Sequence, residues 1–264
     1  MNSCFTLITA HSGFDNSIPN TIASVVAGME SGSDIVEVDV RSTKDGSVVL
    51  FHDSFVTTRE YGIVNISDFT LSELNTLIKS DSILKKRIFE IIKLEDVLSV
   101  VKDFCGFLNL DVKDNSCINP MVKVVHDAGM VDSTIITGCE YSWASSFKNN
   151  YPEFQVLLNL NEKQLFNREN PADTIADENC SMAVKAACCG INIHYMYLSD
   201  ELIQTARKRY LPISIWTLKD SDNLDAYLSM GLYSITTTAV NLLVEKRKRF
   251  TDKMTFSGIN PEKI

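Results

Sequence analysis

The chain contains 264 residues, of which 45% are hydrophobic, and carries a formal net charge of −9 at pH 7. This length is enough for one extensive hydrophobic core, so we expect a single main domain. The acidic balance argues against a nucleic acid as the main partner, because such binding requires clustered lysine and arginine side chains. Seven cysteines, an odd number without a regular spacing, are typical of reduced thiols in a cytoplasmic protein.

The first apolar segment predicts a buried strand rather than a targeting signal. Residues 4–10 lack a basic leader, and the segment is too short to direct export or to span a bilayer. We therefore expect no signal peptide and no stable membrane insertion.

Short apolar runs of strand length recur along the chain, and helical patterns separate them. The eight predicted strands comprise residues 5–10, 35–40, 107–112, 134–137, 155–160, 191–194, 213–216 and 234–237. Helix signals include those at residues 22–29, 94–101, 121–128, 200–209 and 224–230, with Gly129 and Gly231 as stops. Eight strand–helix pairs predict an α/β fold, a closed parallel (β/α)8 TIM barrel. An open doubly wound sheet is the competing architecture, but residues 11–14 do not form the glycine-rich phosphate loop that it needs.

One connection is too long for a simple crossover between strands. Residues 54–90 include Thr70 and Glu73, whose spacing matches a capping box at a helix N-terminus. We therefore predict a small helical insertion after the second strand unit, placed over the barrel mouth. The barrel is assigned to residues 1–252, and a polar, loosely held tail to residues 253–264.

Three carboxylates are predicted at the same end of the barrel. Side chains alternate along a strand, so Glu37 and Asp39 share one face, and Asp111 and Lys113 share the polar face of the third strand. Adjacent acids repel each other unless a proton or a cation lies between them. Three acidic oxygen ligands suit one divalent cation, Mg²⁺ or Ca²⁺, whereas the pattern offers neither the thiolates nor the clustered imidazoles that zinc prefers.

Histidine and tryptophan side chains also follow predicted strands. His11 closes the first strand and His52 follows the second, so the two imidazoles flank the same predicted cation site and can act as general acid and base. His194 and Trp216 end later strands, where contact with substrate competes with a role in packing.

These residues resemble the motifs of the glycerophosphodiester phosphodiesterase family. The matching positions are His11 and Gly13, Asn20-Thr21, Glu37-Val38-Asp39-Val40, residues 43–46, His52-Asp53, residues 71–74, residues 94–98, Asp111-Val112-Lys113 and Trp216-Thr217. Together they cover nearly the whole predicted barrel.

The resemblance implies a metal-dependent TIM-barrel hydrolase. Its implied substrates are glycerophosphodiesters, such as deacylated phospholipid head groups, and its products are glycerol 3-phosphate and an alcohol. The implied metal ligands are Glu37, Asp39 and Asp111, the implied catalytic histidines are His11 and His52, and the implied contact to the substrate phosphate is Lys113.

Three positions depart from the family pattern. Ser12 stands where the family has an arginine that grips the phosphate, Asp111 replaces a longer Glu, and residues 236–239 replace the usual Thr-Asp-x-Pro. A serine offers one neutral hydrogen bond where an arginine offers two charged ones. Arg41 shares a strand face with Asp39, and we predict that it can take over the missing phosphate contact.

Two alternatives stay open at this point. One is a phospholipase D-like enzyme of the same superfamily, which expels the head group and leaves a cyclic phosphate. The other is a phosphodiester-binding protein with little turnover, because the family arginine is replaced. The sequence does not distinguish Mg²⁺ from Ca²⁺, and it leaves the head group and the oligomeric state undetermined.

Overall fold

Eight parallel strands close into a barrel. The computed structural model describes residues 6–81, 84, 90–161 and 171–256. Its strands are β1 (Leu7–Ala10), β2 (Ile35–Ser42), β3 (Val48–Leu50), β4 (Phe55–Thr58), β5 (Gly62–Asn65), β6 (Phe107–Val112), β7 (Thr134–Thr137), β8 (Gln155–Asn159), β9 (Gly190–His194), β10 (Ile213–Leu218) and β11 (Ser234–Thr237). The barrel order is β1-β2-β6-β7-β8-β9-β10-β11, and β11 pairs back to β1. The predicted (β/α)8 architecture is confirmed; residue 5 of the first predicted strand lies outside the described residues.

The register between strands aligns polar residues at the carboxyl end of the barrel. In the β2–β6 pair, Glu37 lies opposite Asn109, and Asp39 lies opposite Asp111. Paired residues of parallel strands point to the same face, so these side chains project together into the barrel. The intervening residues point outward, and Val38 among them is buried in the main apolar cluster.

Helices surround the barrel and begin and end at recognisable signals. They are α1 (Ile22–Glu30), α2 (Leu71–Ser80), α3 (Leu94–Asp103), α4 (Ile118–Ala128), α5 (Tyr141–Asn150), α6 (Ala172–Lys185), α7 (Asp200–Lys208), α8 (Leu224–Ser229) and α9 (Val240–Phe256). Thr70 and Glu73 form the predicted capping box of α2, and Thr21 and Ser24 form another at α1. Helix α4 ends at Gly129, whose φ of 65° is a left-handed conformation that glycine adopts without steric cost.

The segment between β2 and α3 has a small apolar core of its own. Strand β3 forms a hairpin with β2, and β4 pairs with β5 in a separate two-stranded antiparallel sheet before α2. Val56, Val64 and Leu74 are buried in a second apolar cluster together with Val49 of β3. The predicted helix is present. The additional sheet was not predicted, because its strands are largely exposed and lack the continuous apolar run that marks the buried barrel strands.

Helix α9 extends further than the sequence indicates. It ends at Phe256, so residues 253–256 of the predicted tail are helical, and residues 257–264 lie outside the described residues. In the part of the chain that the structure describes, no helix combines the length and the apolar character needed to cross a membrane.

Candidate active site

A cavity of about 560 Å³ opens at the carboxyl ends of the barrel strands. Its lining residues are His11, Glu37, His52, Asn109, Asp111, Val112, Lys113, Thr137, Gly138, Glu140, Ser142, Trp143, Asn159, Asn192, Trp216, Thr217 and Thr236. Parallel barrels carry their chemistry at this face. The cavity is also within the usual size range of a small-molecule site, so it is the candidate active site.

Three carboxylates meet in or beside this cavity. Glu37 and Asp39 are buried on β2, and Asp111 is half-buried on the neighbouring β6. One oxygen from each carboxylate lies within 4.8 Å of the other two. Lys113 Nζ lies 3.0 Å from an Asp39 oxygen and 2.6 Å from an Asp111 oxygen. The structure therefore brings together the three predicted metal ligands and the predicted phosphate contact.

Hydrogen bonds from the β1–α1 loop orient two of these carboxylates. The Ser12 backbone N–H donates to Glu37 Oε2 at 2.9 Å. Asn20 makes two hydrogen bonds with Asp39: its Nδ2 donates to Asp39 Oδ2 at 2.8 Å, and its Oδ1 accepts from the Asp39 backbone N–H at 3.0 Å. Ser12 Oγ in turn accepts from the Asn20 backbone N–H at 2.9 Å. Ser12 is buried and supports the carboxylates instead of lining the cavity.

The carboxylates carry more negative charge than the neighbouring cation balances. Burial raises the pKa of Glu37 well above its usual value, and the charges of Asp39 and Asp111 raise it further. Burial opposes the charge of Lys113, but Asp111 and Asp39 outweigh that effect and raise its pKa. Three carboxylates beside one ammonium group leave an excess of negative charge, which a divalent cation would compensate.

The two predicted catalytic histidines both line the cavity but differ in their surroundings. Burial lowers the pKa of His11, although the charge of Asp39 partly opposes this shift. His52 lies in the loop after β3, and its side chain is 65% exposed. Its Nδ1 lies 2.8 Å from Asp53 Oδ1, so a proton held between these atoms leaves Nε2 as the ring atom free to exchange one.

Arg41 has different partners from those that the sequence suggested. Its Nε and Nη2 donate to the His52 backbone carbonyl at 3.0 and 2.9 Å, and its Nη1 donates to the Lys113 carbonyl at 3.3 Å. Asp114 lies 3.7 Å from the guanidinium. The side chain is 13% exposed and is not part of the cavity lining. Its donors are directed at the protein backbone, so the position gives no support to the predicted phosphate contact.

Sequence reasoning missed the residues that the later strands contribute. Gly138 has a φ of +80°, and a Cβ added there would lie 2.5 Å from Asp111 Oδ1 and 2.4 Å from the Val112 carbonyl. Only glycine therefore allows this loop to pass so close to the carboxylate. The Gly138 N–H donates to Asn159 Oδ1, which also accepts from Asn192 Nδ2. A polar residue at the end of each of these strands is the sequence signal that could have identified them as part of the site.

Trp216 and His194 lie on the side of the cavity formed by β9 and β10. Trp216 lines the main cavity. His194 lies instead in a smaller adjoining cavity, with its ring centroid 5.0 Å from that of Trp216. The structure thus places both predicted residues at the barrel mouth, but only Trp216 lines the cavity that contains the carboxylates.

Comparison with known proteins agrees with this geometry. The model of the glycerophosphoryl diester phosphodiesterase family matches residues 11–242. A glycerophosphodiester phosphodiesterase from Caldanaerobacter subterraneus subsp. tengcongensis is 26% identical over 249 residues, which are 90% of this chain and 98% of the relative.

Solved structures share the same fold. The structure of an Oleispira antarctica phosphodiesterase in complex with the product sn-glycerol-3-phosphate matches with a TM-score of 0.74 and 22% identity, covering 93% of this chain and 98% of that one. A putative glycerophosphoryl diester phosphodiesterase from Silicibacter pomeroyi matches with a TM-score of 0.77 and 14% identity, covering 96% and 95%. Because the family match spans the barrel from the first histidine to the last helix, the chain belongs to the glycerophosphoryl diester phosphodiesterase family, a family of hydrolases.

Proposed function

We propose that this hydrolase uses a divalent cation, His11 and His52 to cleave glycerophosphodiesters into glycerol 3-phosphate and an alcohol. The observation that carries this proposal is the group of three carboxylates, with oxygens within 4.8 Å of one another, beside two histidines in one cavity. Relatives named for this activity and a related phosphodiesterase that binds sn-glycerol-3-phosphate support it.

Glu37, Asp39 and Asp111 fit the requirements of a Mg²⁺ or Ca²⁺ site. All three offer oxygen ligands, and the raised pKa of Glu37 indicates that its buried charge lacks full compensation. Hard divalent cations favour carboxylate oxygens. A bound cation would stabilise negative charge on the phosphate and acidify a water or a substrate hydroxyl.

The two histidines differ in burial and in hydrogen-bond partners. Burial lowers the pKa of His11 and so favours its neutral form, which suits this residue to remove a proton from the attacking hydroxyl or water. His52, open to solvent and oriented by Asp53, is suited to protonate the departing alkoxide through Nε2. The phosphorus–oxygen bond to the alcohol breaks as the bond to the attacking oxygen forms. His11 takes up the proton of the attacking group, and His52 donates a proton to the departing alkoxide.

Lys113 is suited to hold the phosphate. Among the described residues, it is the one lysine or arginine that lines the main cavity. Its contacts with Asp39 and Asp111 fix the ammonium group at the edge of the carboxylates. The buried Ser12 leaves this lysine without the second cation that the family pattern places beside the phosphate.

The cellular setting is part of the proposal. Six cysteines in the described part of the chain are free, and Cys105 and Cys189 among them are exposed. Unpaired exposed thiols suit a reducing compartment, so we place the enzyme in the cytoplasm. Its proposed partner is a small phosphodiester.

Product analysis tests the reaction. Phosphorus NMR of the protein with glycerophosphocholine and Mg²⁺ or Ca²⁺ is expected to show linear glycerol 3-phosphate, and EDTA is expected to stop its formation because the carboxylates then lack their cation. A lysophospholipid serves as the second substrate. A cyclic phosphate product would instead identify the phospholipase D-like reaction, and unchanged substrates would identify a binding protein.

Removal of either histidine tests the proton-transfer roles. His11→Ala and His52→Ala are each expected to lose on the order of 10²- to 10⁴-fold in rate while retaining cation binding. His126→Ala is the matched control, since His126 lies on α4 and pairs with Glu153. Steady-state kinetics measures the loss of rate, and thermal unfolding checks that each variant is folded. A folded, cation-binding variant with normal turnover would remove that histidine from the mechanism.

The pH dependence of stability tests the cation site independently of activity. Because the pKa of Glu37 is raised in the folded state, folding favours its protonated form, and this contribution is lost as pH rises from the unfolded value towards the folded one. In EDTA, the contribution of Glu37 to the free energy of unfolding, measured as the difference between the parent and Glu37→Gln, is therefore expected to fall as pH rises. Glu37→Gln should flatten this dependence and weaken the stabilisation that the cation gives the parent.

Urea unfolding with and without the cation, at pH values of about 5.5 and 8, measures both effects. Glu30→Gln is the control, because Glu30 is exposed at the end of α1, on the opposite face of the barrel. An identical pH dependence in Glu37→Gln and the parent would contradict the assignment.

Arg41 is proposed to position His52 and Lys113 through their backbone carbonyls. Lysine keeps the positive charge but lacks the planar guanidinium group that reaches both carbonyls. Arg41→Lys is therefore expected to misplace His52 and Lys113 and to lower kcat by about 10-fold or more, with a smaller change in KM. Arg249→Lys, an exposed exchange on α9, is the control. If Arg41→Lys lowers only the melting temperature and leaves kcat unchanged, the residue has a purely structural role.

A further inference from the structure

A second cavity of about 320 Å³ joins the active-site cavity beside β8 and β9. We call it the side compartment; it is lined by Gly138, Glu140, Asn159, Leu160, Asn161, His194, Tyr197 and Trp216. Glu140, Trp216 and two other residues of this set also line the main cavity. Because the cavities share this wall, a molecule with its phosphate beside the histidines can extend one substituent into the side compartment.

Aromatic rings form one side of this compartment. The His194 ring centroid lies 5.5 Å from that of Tyr197 and 5.0 Å from that of Trp216, with the tryptophan at an interplanar angle of 88°. His194 Nδ1 accepts a hydrogen bond from the Met196 backbone N–H at 3.4 Å, which helps to hold the ring beside Tyr197 and Trp216. The wall therefore offers the aromatic rings of Tyr197 and Trp216, whose faces attract cations.

Glu140 gives the compartment a negative charge. It is exposed at the N-cap of α5 but makes no capping hydrogen bond with its side chain. Among the described residues, no hydrogen bond or ion pair of the Glu140 carboxylate is found, and no lysine or arginine lines the side compartment. Lys113 lies in the main cavity and is held by Asp39 and Asp111. A cation is therefore the complementary ligand for this space.

We propose that the side compartment binds a positively charged head group, a primary or quaternary ammonium, of the phosphodiester substrate. This inference rests on the proposed function. Glu140 attracts the ammonium group, and the faces of Tyr197 and Trp216 contact it as the phosphate lies beside Lys113. A neutral head group gains neither interaction, and an anionic one is repelled by Glu140.

The test compares two substrates that differ in head-group charge. The kcat/KM of the parent for glycerophosphocholine is expected to exceed that for glycerophosphoglycerol. Glu140→Gln is expected to reduce the ratio by about two- to fivefold, the effect of one exposed charge pair. Added salt should reduce the ratio of the parent more than that of the variant.

Tyr197→Leu is expected to reduce the ratio by about twofold or more through loss of an aromatic face. Glu30→Gln, on the opposite face of the barrel, should leave the ratio unchanged.

Failure of this inference is distinguishable from failure of the proposed function. Hydrolysis of both substrates with a ratio near one, unaltered by Glu140→Gln, would overturn the side-compartment assignment and leave the activity standing. If neither substrate is hydrolysed, calorimetric binding of the same two compounds to the cation-loaded protein and to Glu140→Gln provides the comparison. Equal affinities for both compounds would then also overturn the side-compartment assignment.

Discussion

Mutual repulsion among three carboxylates is the constraint on which the barrel mouth depends. Two unit charges about 4–5 Å apart repel each other by about 3–4 kcal/mol at an effective dielectric constant of about 20. A folded domain is stable by only about 5–15 kcal/mol, so several such repulsions need compensation. Lys113 offsets part of the charge at Asp39 and Asp111, whereas burial, and after it the charges of Asp39 and Asp111, raise the pKa of Glu37.

The scaffold holds these charges together by fixing backbone positions first. Strand register places Asp39 beside Asp111, and the β1–α1 loop directs hydrogen bonds at Glu37 and Asp39. On the other side, the close approach of Gly138 confines Asp111. Each carboxylate is therefore held by groups whose own positions are set by the barrel, as a preorganised site requires. The replacement at position 12 preserves this support, because the contact to Glu37 comes from the backbone.

Alternation of side chains made much of the fold and site predictable. The period-two pattern around Glu37 and Asp39 identified both the strand and its polar face, and the positions of His11 and His52 after the first two strands linked them to that face. The predicted (β/α)8 barrel followed from the order of strands and helices, with little information needed from loops.

Features that depend on loop geometry could not be read from the chain. Arg41 shares a strand face with Asp39, yet its partners are carbonyls of two other segments, whose approach only the folded structure determines. Gly138 was missed because its role depends on the path of β6 beside it. The side compartment likewise arises from residues in four separate loops and strands, among them Glu140 and His194, whose individual positions in sequence carry no shared pattern.

Crystals grown with Mn²⁺ and sn-glycerol 3-phosphate would test the central claim most directly. Manganese prefers the same oxygen ligands as magnesium and can be located by its anomalous scattering. We expect one strong peak bonded to oxygens of Glu37, Asp39 and Asp111 at distances of about 2.0–2.6 Å. The phosphate should lie beside that peak, within reach of both Lys113 and His11. Bound phosphate with no anomalous peak among the three carboxylates would contradict the account.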